Sequence, residues 1–184
     1  MTETPDYSII QKDGNIELRS YVPYIKAEVD VVESSYKNAI NQGFNILASY
    51  IFGQNRSSET IAMTSPVEVS QSEKIAMTKP VIVSGEGSYT VAFIMPSEYT
   101  FDTLPVPNNP RIRMKQLEMH TVAVIRFSGY FRNQSIEQAK EELLSWLQKQ
   151  GLEVEGDFIV AGYNPPWVPG FLARNEVMIR VKSR

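Results

Sequence analysis

His120 is the only histidine, and the chain contains no cysteine. Thiolate chemistry, disulfides and metal ligation by several histidines are therefore excluded. A serine or threonine nucleophile would need His120 or a lysine within hydrogen-bonding reach, and no motif supplies that arrangement. His120 opens a strand, where it reads as a capping or surface residue rather than a ligand. Glu141 and Glu142 face different sides of a helix and read as solvated charge. Gly85-Glu-Gly87 reads as a hairpin turn, and no glycine-rich phosphate loop is present. No catalytic set emerges, so the chemistry to look for is the non-covalent holding of an apolar ligand.

The apolar residues concentrate on one helix. At 100° per residue, those between Tyr36 and Phe52 cover roughly 240° of the wheel, leaving a polar strip of Asn38, Gln42, Asn45 and Ser49. A second helix, carrying Ile136, Ala139, Leu143, Leu144, Trp146 and Leu147, covers roughly 160°, which suits packing on one sheet. The flank of the first helix with Phe44, Ala48 and Phe52, and Asn41 beside it, needs a further cover. A folded-over loop, a dimer contact and a ligand groove all satisfy that need. The segment Tyr163-Asn-Pro-Pro-Trp-Val-Pro-Gly-Phe171 is the expected covering loop, stiffened by prolines and carrying Trp167, Val168 and Phe171. Those aromatics could equally seal the core. Ile61-Ala-Met-Thr-Ser-Pro-Val67 recurs as Ile75-Ala-Met-Thr-Lys-Pro-Val81; it reads as a proline-punctuated sheet edge or as a lip at which Met63 meets a ligand. The candidate binding residues are Asn41, Phe44, Leu47, Ala48, Met63, Trp167, Val168 and Phe171, with no catalytic residue and no metal ligand.

The elements that must position these residues occur twice. A gapless shift of 96 residues aligns Ile16 and Leu18 with Ile112 and Met114, Ala27, Val29 and Val31 with Ala123, Ile125 and Phe127, and Ile40 and Leu47 with Ile136 and Leu143. Each copy predicts two alternating strands, a helix and further strands. In Tyr24 to Val32, Ala27, Val29 and Val31 face the core, and Lys26, Glu28 and Asp30 face solvent. The first helix starts near Ser34 or Ser35 and stops at Gly53. The second carries a capping-box pattern, Ser135 with Gln138, and ends near Gly151. The remaining strands are Thr60 to Val69, Ile75 to Val83, Tyr89 to Met95, Asp157 to Tyr163 and Glu176 to Val181. The Pro105 to Pro110 connection is too short to separate domains. The expected fold is α+β: a duplicated ββαβ-type unit forming a distorted antiparallel barrel or curved sheet with two packed helices, one domain over 1–184 with pseudo-repeats at about 14–95 and 110–182.

Hydrophobic residues make up 42% and charged residues 21%, a globular balance, and the net charge of −3 argues against a nucleic-acid partner. The basic residues of Arg111-Ile-Arg-Met-Lys115 alternate with apolar ones and read as the wet face of a strand. No secretory signal or membrane-spanning run stands out, so a cytoplasmic protein without a membrane partner, a monomer or weak dimer, is expected.

Taken together, Ile16-Glu-Leu-Arg-Ser-Tyr21, Gly43-Phe-Asn-Ile-Leu47, Tyr50-Ile-Phe-Gly-Gln-Asn55, the two Ile-Ala-Met-Thr-x-Pro-Val segments, Gly162-Tyr-Asn-Pro-Pro166 and Arg174-Asn-Glu-Val177 resemble the SOUL haem-binding proteins along nearly the whole chain. The resemblance implies a barrel-like fold of two repeats, related to the ligand-binding domain of GyrI-like regulators, and binding of haem or another tetrapyrrole for buffering, transport or sensing. It also implies a site between the first helix and the loop joining the last two strands. The chain departs from family patterns at Ser20, where some members carry an axial histidine, at Asn41, where others have an arginine near the haem propionates, and near Val168, where some have a lysine. Neither an axial ligand nor a propionate clamp carries over. The alternatives are a GyrI-like pocket that binds or hydrolyses other small molecules, which requires a carboxylate or tyrosine facing a cavity, and a protein-interaction module.

Overall fold

The computed structural model describes residues 4–33, 35–57, 60–71, 87–129, 132–163 and 168–182. It is an α+β fold in which nine antiparallel strands form one open curved sheet with two helices. The strands are β1 (Tyr7–Asp13), β2 (Ile16–Tyr21), β3 (Tyr24–Glu33), β4 (Val67–Gln71), β5 (Gly87–Ile94), β6 (Arg113–Leu117), β7 (His120–Phe127), β8 (Val154–Gly162) and β9 (Asn175–Val181). The helices are α1 (Tyr36–Ile51) and α2 (Asn133–Gln150). Across the sheet the order is β1-β2-β7-β9-β8-β4-β5-β3-β6.

That order exchanges strands between the halves. β2, early in the chain, pairs with β7, and β6 crosses back to pair with β3. The two ladders share one register. Tyr21 lies opposite His120, and Leu117 lies opposite Tyr24; Leu18 opposes Ala123, and Met114 opposes Ala27. Each pair maps onto its counterpart by the same shift that aligns the sequence.

α1 lies on β3 and β5 over Ala27, Val29, Val31, Val91 and Phe93. α2 lies on β7, β8 and β9, with Leu143, Trp146 and Leu147 over Ala123, Ile125, Val177 and Ile179. Gly43, mid-helix, costs about 1 kcal/mol in helix propensity relative to alanine. Its reason is proximity: a Cβ there would stand 2.5 Å from a Val91 methyl, so only glycine lets α1 approach β5 this closely.

The helix ends follow local chemistry. The Ser35 hydroxyl accepts the Asn38 N–H at 3.2 Å as N-cap of α1. Gly53 (φ 108) follows the end of α1, and Gly151 (φ 63) caps α2. The capping box expected at Ser135 does not form. The chain turns at Gly129 (φ 120) and is tied by its N–H to the Gly170 carbonyl. Helical bonding therefore starts earlier, with Ile136 N–H on the Arg132 carbonyl, and Ser135 lies inside the first turn.

Three more expectations change. β1 is an additional edge strand, joined to β2 through Gly14-Asn15. The strand expected over Thr60 to Val69 contracts to Val67–Gln71, because residues 60–66 run without ladder bonds toward Pro66. Lys26 and Glu28 do turn away from the helices, but onto a second packed face, where each side chain is only 12% exposed. The strand expected over Ile75 to Val83 and the Gly85-Glu-Gly87 turn lie outside the described residues, except Gly87, which opens β5.

Candidate functional site

The candidate residues on α1 split by depth. Leu47 is fully buried, and Ala48 is buried at the same core. Phe44 is half-buried, edge-on to Phe93 at 5.2 Å between ring centroids. The approach that Gly43 permits sets this contact. Asn41 is exposed, Phe52 is 65% exposed just past the helix end, and Met63 is 40% exposed. The flank expected to need a cover is thus apolar and open toward its end.

Val168 is half-buried, and Phe171, on a 3-10 turn over Gly170–Leu172, is 77% exposed. This end of the loop is anchored at the corner between β7 and α2. Gly129 N–H donates to the Gly170 carbonyl at 2.8 Å, and the Asn175 side-chain amide donates to the Gly129 carbonyl at 2.7 Å. Trp167 lies outside the described residues.

The helix-free face of the sheet carries charge that alternation alone assigned to solvent. In the half built on β2, β7 and β9, the Arg19 guanidinium is completely buried. It donates twice to Glu176, both at 2.9 Å, once to Glu17 at 2.8 Å and once to the Tyr21 hydroxyl at 3.1 Å. Tyr163 O–H and Arg174 also donate to Glu176, at 2.7 and 2.8 Å. Burial pushes the Glu176 carboxyl up, but hydrogen bonds and charge from Arg19, joined by Tyr163 and Arg174, outweigh it and hold it below the usual carboxylate range. Arg174 and Glu176 thus serve the buried network, and Asn175 ties the strand to the Gly129 carbonyl.

In the other half, Lys26 lies 3.4 Å from Glu28 and 3.5 Å from Glu68, and Arg113 joins Glu28 to Asp30 at 3.2 and 2.7 Å. Between the halves sits a cavity of about 220 Å³, lined by Tyr21, Tyr24, Lys26, Glu68, His120, Val122, Ile159 and Met178 among others. The interior is therefore not closed by apolar side chains. His120, expected at the surface, is buried against Tyr21, and its Nδ1 bonds to the Glu118 carbonyl at 2.7 Å. Burial lowers its pKa, and Arg180 and Lys26 add to that while the Glu118 carbonyl opposes it. The pairing of Tyr21 with His120 at the exchanged ladder explains the burial, which the sequence pattern of one strand does not reveal.

Among the described residues, no cluster of three or more His, Asp or Glu could hold a metal ion, and no helix is long and apolar enough to cross a membrane.

Human heme-binding protein 2 is 30% identical to this chain over 186 residues, covering 98% of the chain and 87% of the relative. Heme-binding protein 1 of Xenopus laevis is 28% identical, over 91% of the chain and 84% of the relative. The fold is shared more widely. The crystal structure of the EcmrR C-terminal domain superposes with a TM-score of 0.66 at 11% identity, covering 97% of this chain and 99% of that one. A hydrolase from Listeria innocua gives 0.61 at 10% identity, over 94% of each chain. The sequence profile described as SOUL heme-binding protein matches residues 2–180. This chain belongs to the SOUL haem-binding protein family.

Proposed function

We propose that this chain binds haem or another tetrapyrrole without a covalent bond, in an apolar groove between α1 and the 163–174 connection, for buffering, transport or sensing. The observation that carries the reading is the open apolar end of the α1 flank, where Phe44 is half-buried and Phe52 and Met63 stay exposed. The names of the relatives supply the ligand class. The flank fits the ring rather than the iron. Asn41 offers an amide, and the one imidazole, His120, lies on the opposite face of the sheet. Affinity then comes from apolar contact, with Phe44, Met63, Trp167, Val168 and Phe171 as the proposed walls, Leu47 and Ala48 as the buried floor behind Phe44, and Asn41 at the rim. The working unit is a single domain over 1–184 containing both repeats, acting as a cytoplasmic monomer or weak dimer.

Haem titration followed in the Soret band tests this. Saturable binding that weakens in Phe44→Ala and in Trp167→Ala supports it; no saturable spectral change sinks it. A concentration-dependent dimer abolished by Phe44→Asp, with no haem bound, would assign the flank to a protein interface instead.

A further inference from the structure

The cavity on the helix-free face is separate from the proposed groove, since the sheet lies between them. It sits where the exchanged strands meet. Tyr24 and His120 are equivalent positions of the two repeats, and with Tyr21 they form one aromatic wall, ring centroids 5.6 to 6.1 Å apart, in which Tyr24 is tilted 63° from Tyr21 and 48° from His120. Lys26 and the buried carboxylate of Glu68 stand in the same lining. The repeat equivalent of Lys26 is Val122, so the second half contributes apolar surface there, continued by Ile159 and Met178. The duplication has produced one cavity with a polar side and an apolar side.

Size, charge and hydrogen-bonding capacity narrow the occupant. About 220 Å³ falls below the roughly 300–1,000 Å³ of sites for drug-sized ligands, so a tetrapyrrole does not fit and one or two fused rings do. The charged lining residues balance, Lys26, Lys115 and Arg180 against Glu68, Glu155 and Asp157, and burial favours neutral His120. No surplus charge awaits an ion. An anionic ligand on Lys26 would leave the buried Glu68 carboxylate unmatched, and a cationic one on Glu68 would crowd the Lys26 ammonium, which then keeps only Glu28. A carboxylate accepts about four hydrogen bonds, and Tyr24 and Lys26 account for two at Glu68. The capacity left suits N–H donors, while the Lys26 ammonium can donate to a ring nitrogen or oxygen. Flat rings gain most from the aromatic wall.

We propose that this cavity binds a small, neutral, planar heteroaromatic molecule of one or two rings, held against the Tyr21, Tyr24 and His120 rings, with an N–H donating to Glu68 and a ring nitrogen or oxygen accepting from Lys26.

An NMR titration of the full chain, reading the methyls of Val122, Ile159 and Met178, tests this. Adenine and 2-aminopyrimidine serve as neutral probes, benzyltrimethylammonium and benzoate as ionic ones. The neutral probes should shift these methyls saturably, tenfold more weakly in Glu68→Gln. Ile159→Phe, which fills the apolar side without touching the ion pair, should abolish the shifts even if Glu68→Gln folds poorly. Neither variant should change the haem titration. Equal or tighter binding of an ionic probe, neutral probes that leave these methyls unmoved at millimolar concentration, or full affinity in Ile159→Phe would overturn the proposal.

Discussion

Replacing Arg19 by methionine keeps most of the side chain's length and removes a buried charge. In the native state its guanidinium serves Glu176 through two bonds of 2.9 Å and Glu17 through one of 2.8 Å. Breaking a buried ion pair by deleting one partner typically costs about 3–5 kcal/mol. The low end applies here, because Glu176 retains Arg174 and Tyr163, and Glu17 retains Lys12. The expected loss is therefore about 3 kcal/mol, or about 6–12 °C in Tm for a chain of this size. Urea unfolding and a thermal scan measure it. Pairing Arg19→Met with Glu176→Leu should recover part of the loss, since it removes a buried carboxylate that Arg19 no longer balances, although Tyr163 and Arg174 give up their shared acceptor. Acid sensitivity gives a second readout. The Glu176 and Glu17 carboxyls are held below their ordinary values despite burial, so the unfolded chain binds more protons as pH falls. Their contribution is complete above the ordinary carboxylate pKa and is lost as pH falls through the folded values. Arg19→Met should therefore lose less stability on acidification than the wild type. A single-variant cost under about 1 kcal/mol, or a double variant worse than the single, would refute the reasoning.

Gly43→Ala should destabilise by about 1–3 kcal/mol despite alanine's better helix propensity, since its methyl would collide with Val91; urea unfolding checks the sign. Ser35→Ala should cost about 1 kcal/mol in the same assay through loss of the N-cap bond to Asn38. His120 has its pKa lowered by burial, so the unfolded chain takes up its proton first as pH falls below the ordinary histidine value. His120→Phe should flatten the stability-versus-pH slope in that window, where the wild type loses stability toward lower pH. The groups facing His120 there are Lys26, Glu68 and Arg180, and an unchanged slope would show that it titrates alike in both states.

The two-repeat pattern was legible because hydrophobic periodicity survives duplication in phase. Ala27, Val29 and Val31 and their counterparts each occupy the helix side of a strand, as alternation alone requires. The helix-free face was not legible in the same way. Alternation separates two sides of a strand but does not say whether the polar side is wet, and Lys26, Glu28 and Glu68 are buried by one another's company across strands distant in sequence. His120 was misplaced for the same reason, since its stacking partner Tyr21 comes from the other repeat. β1 was missed although Gly14-Asn15 is a hairpin signal, because an edge strand needs little apolar content. On α1, the wheel marked an apolar sector in which Phe44 is half-buried and Phe52, just past the helix end, is exposed, whereas the Gly129–Gly170 bond that anchors the loop end is a backbone contact with no side-chain signature.

The exchanged strands carry a consequence for how this chain can be divided. β2 closes its ladder with β7 roughly 100 residues away, so neither repeat satisfies its own edge, and folding must wait for contacts of high sequence separation. Cutting the backbone in the proline-rich connection should give two fragments that are frayed alone and reassociate by complementation. A fragment holding only the first repeat could complete its ladders by trading β2 with a second copy of itself. The architecture has the strand exchange of a swapped homodimer inside one polypeptide, and because its two halves differ in sequence, one side of the seam is polar while the other is apolar.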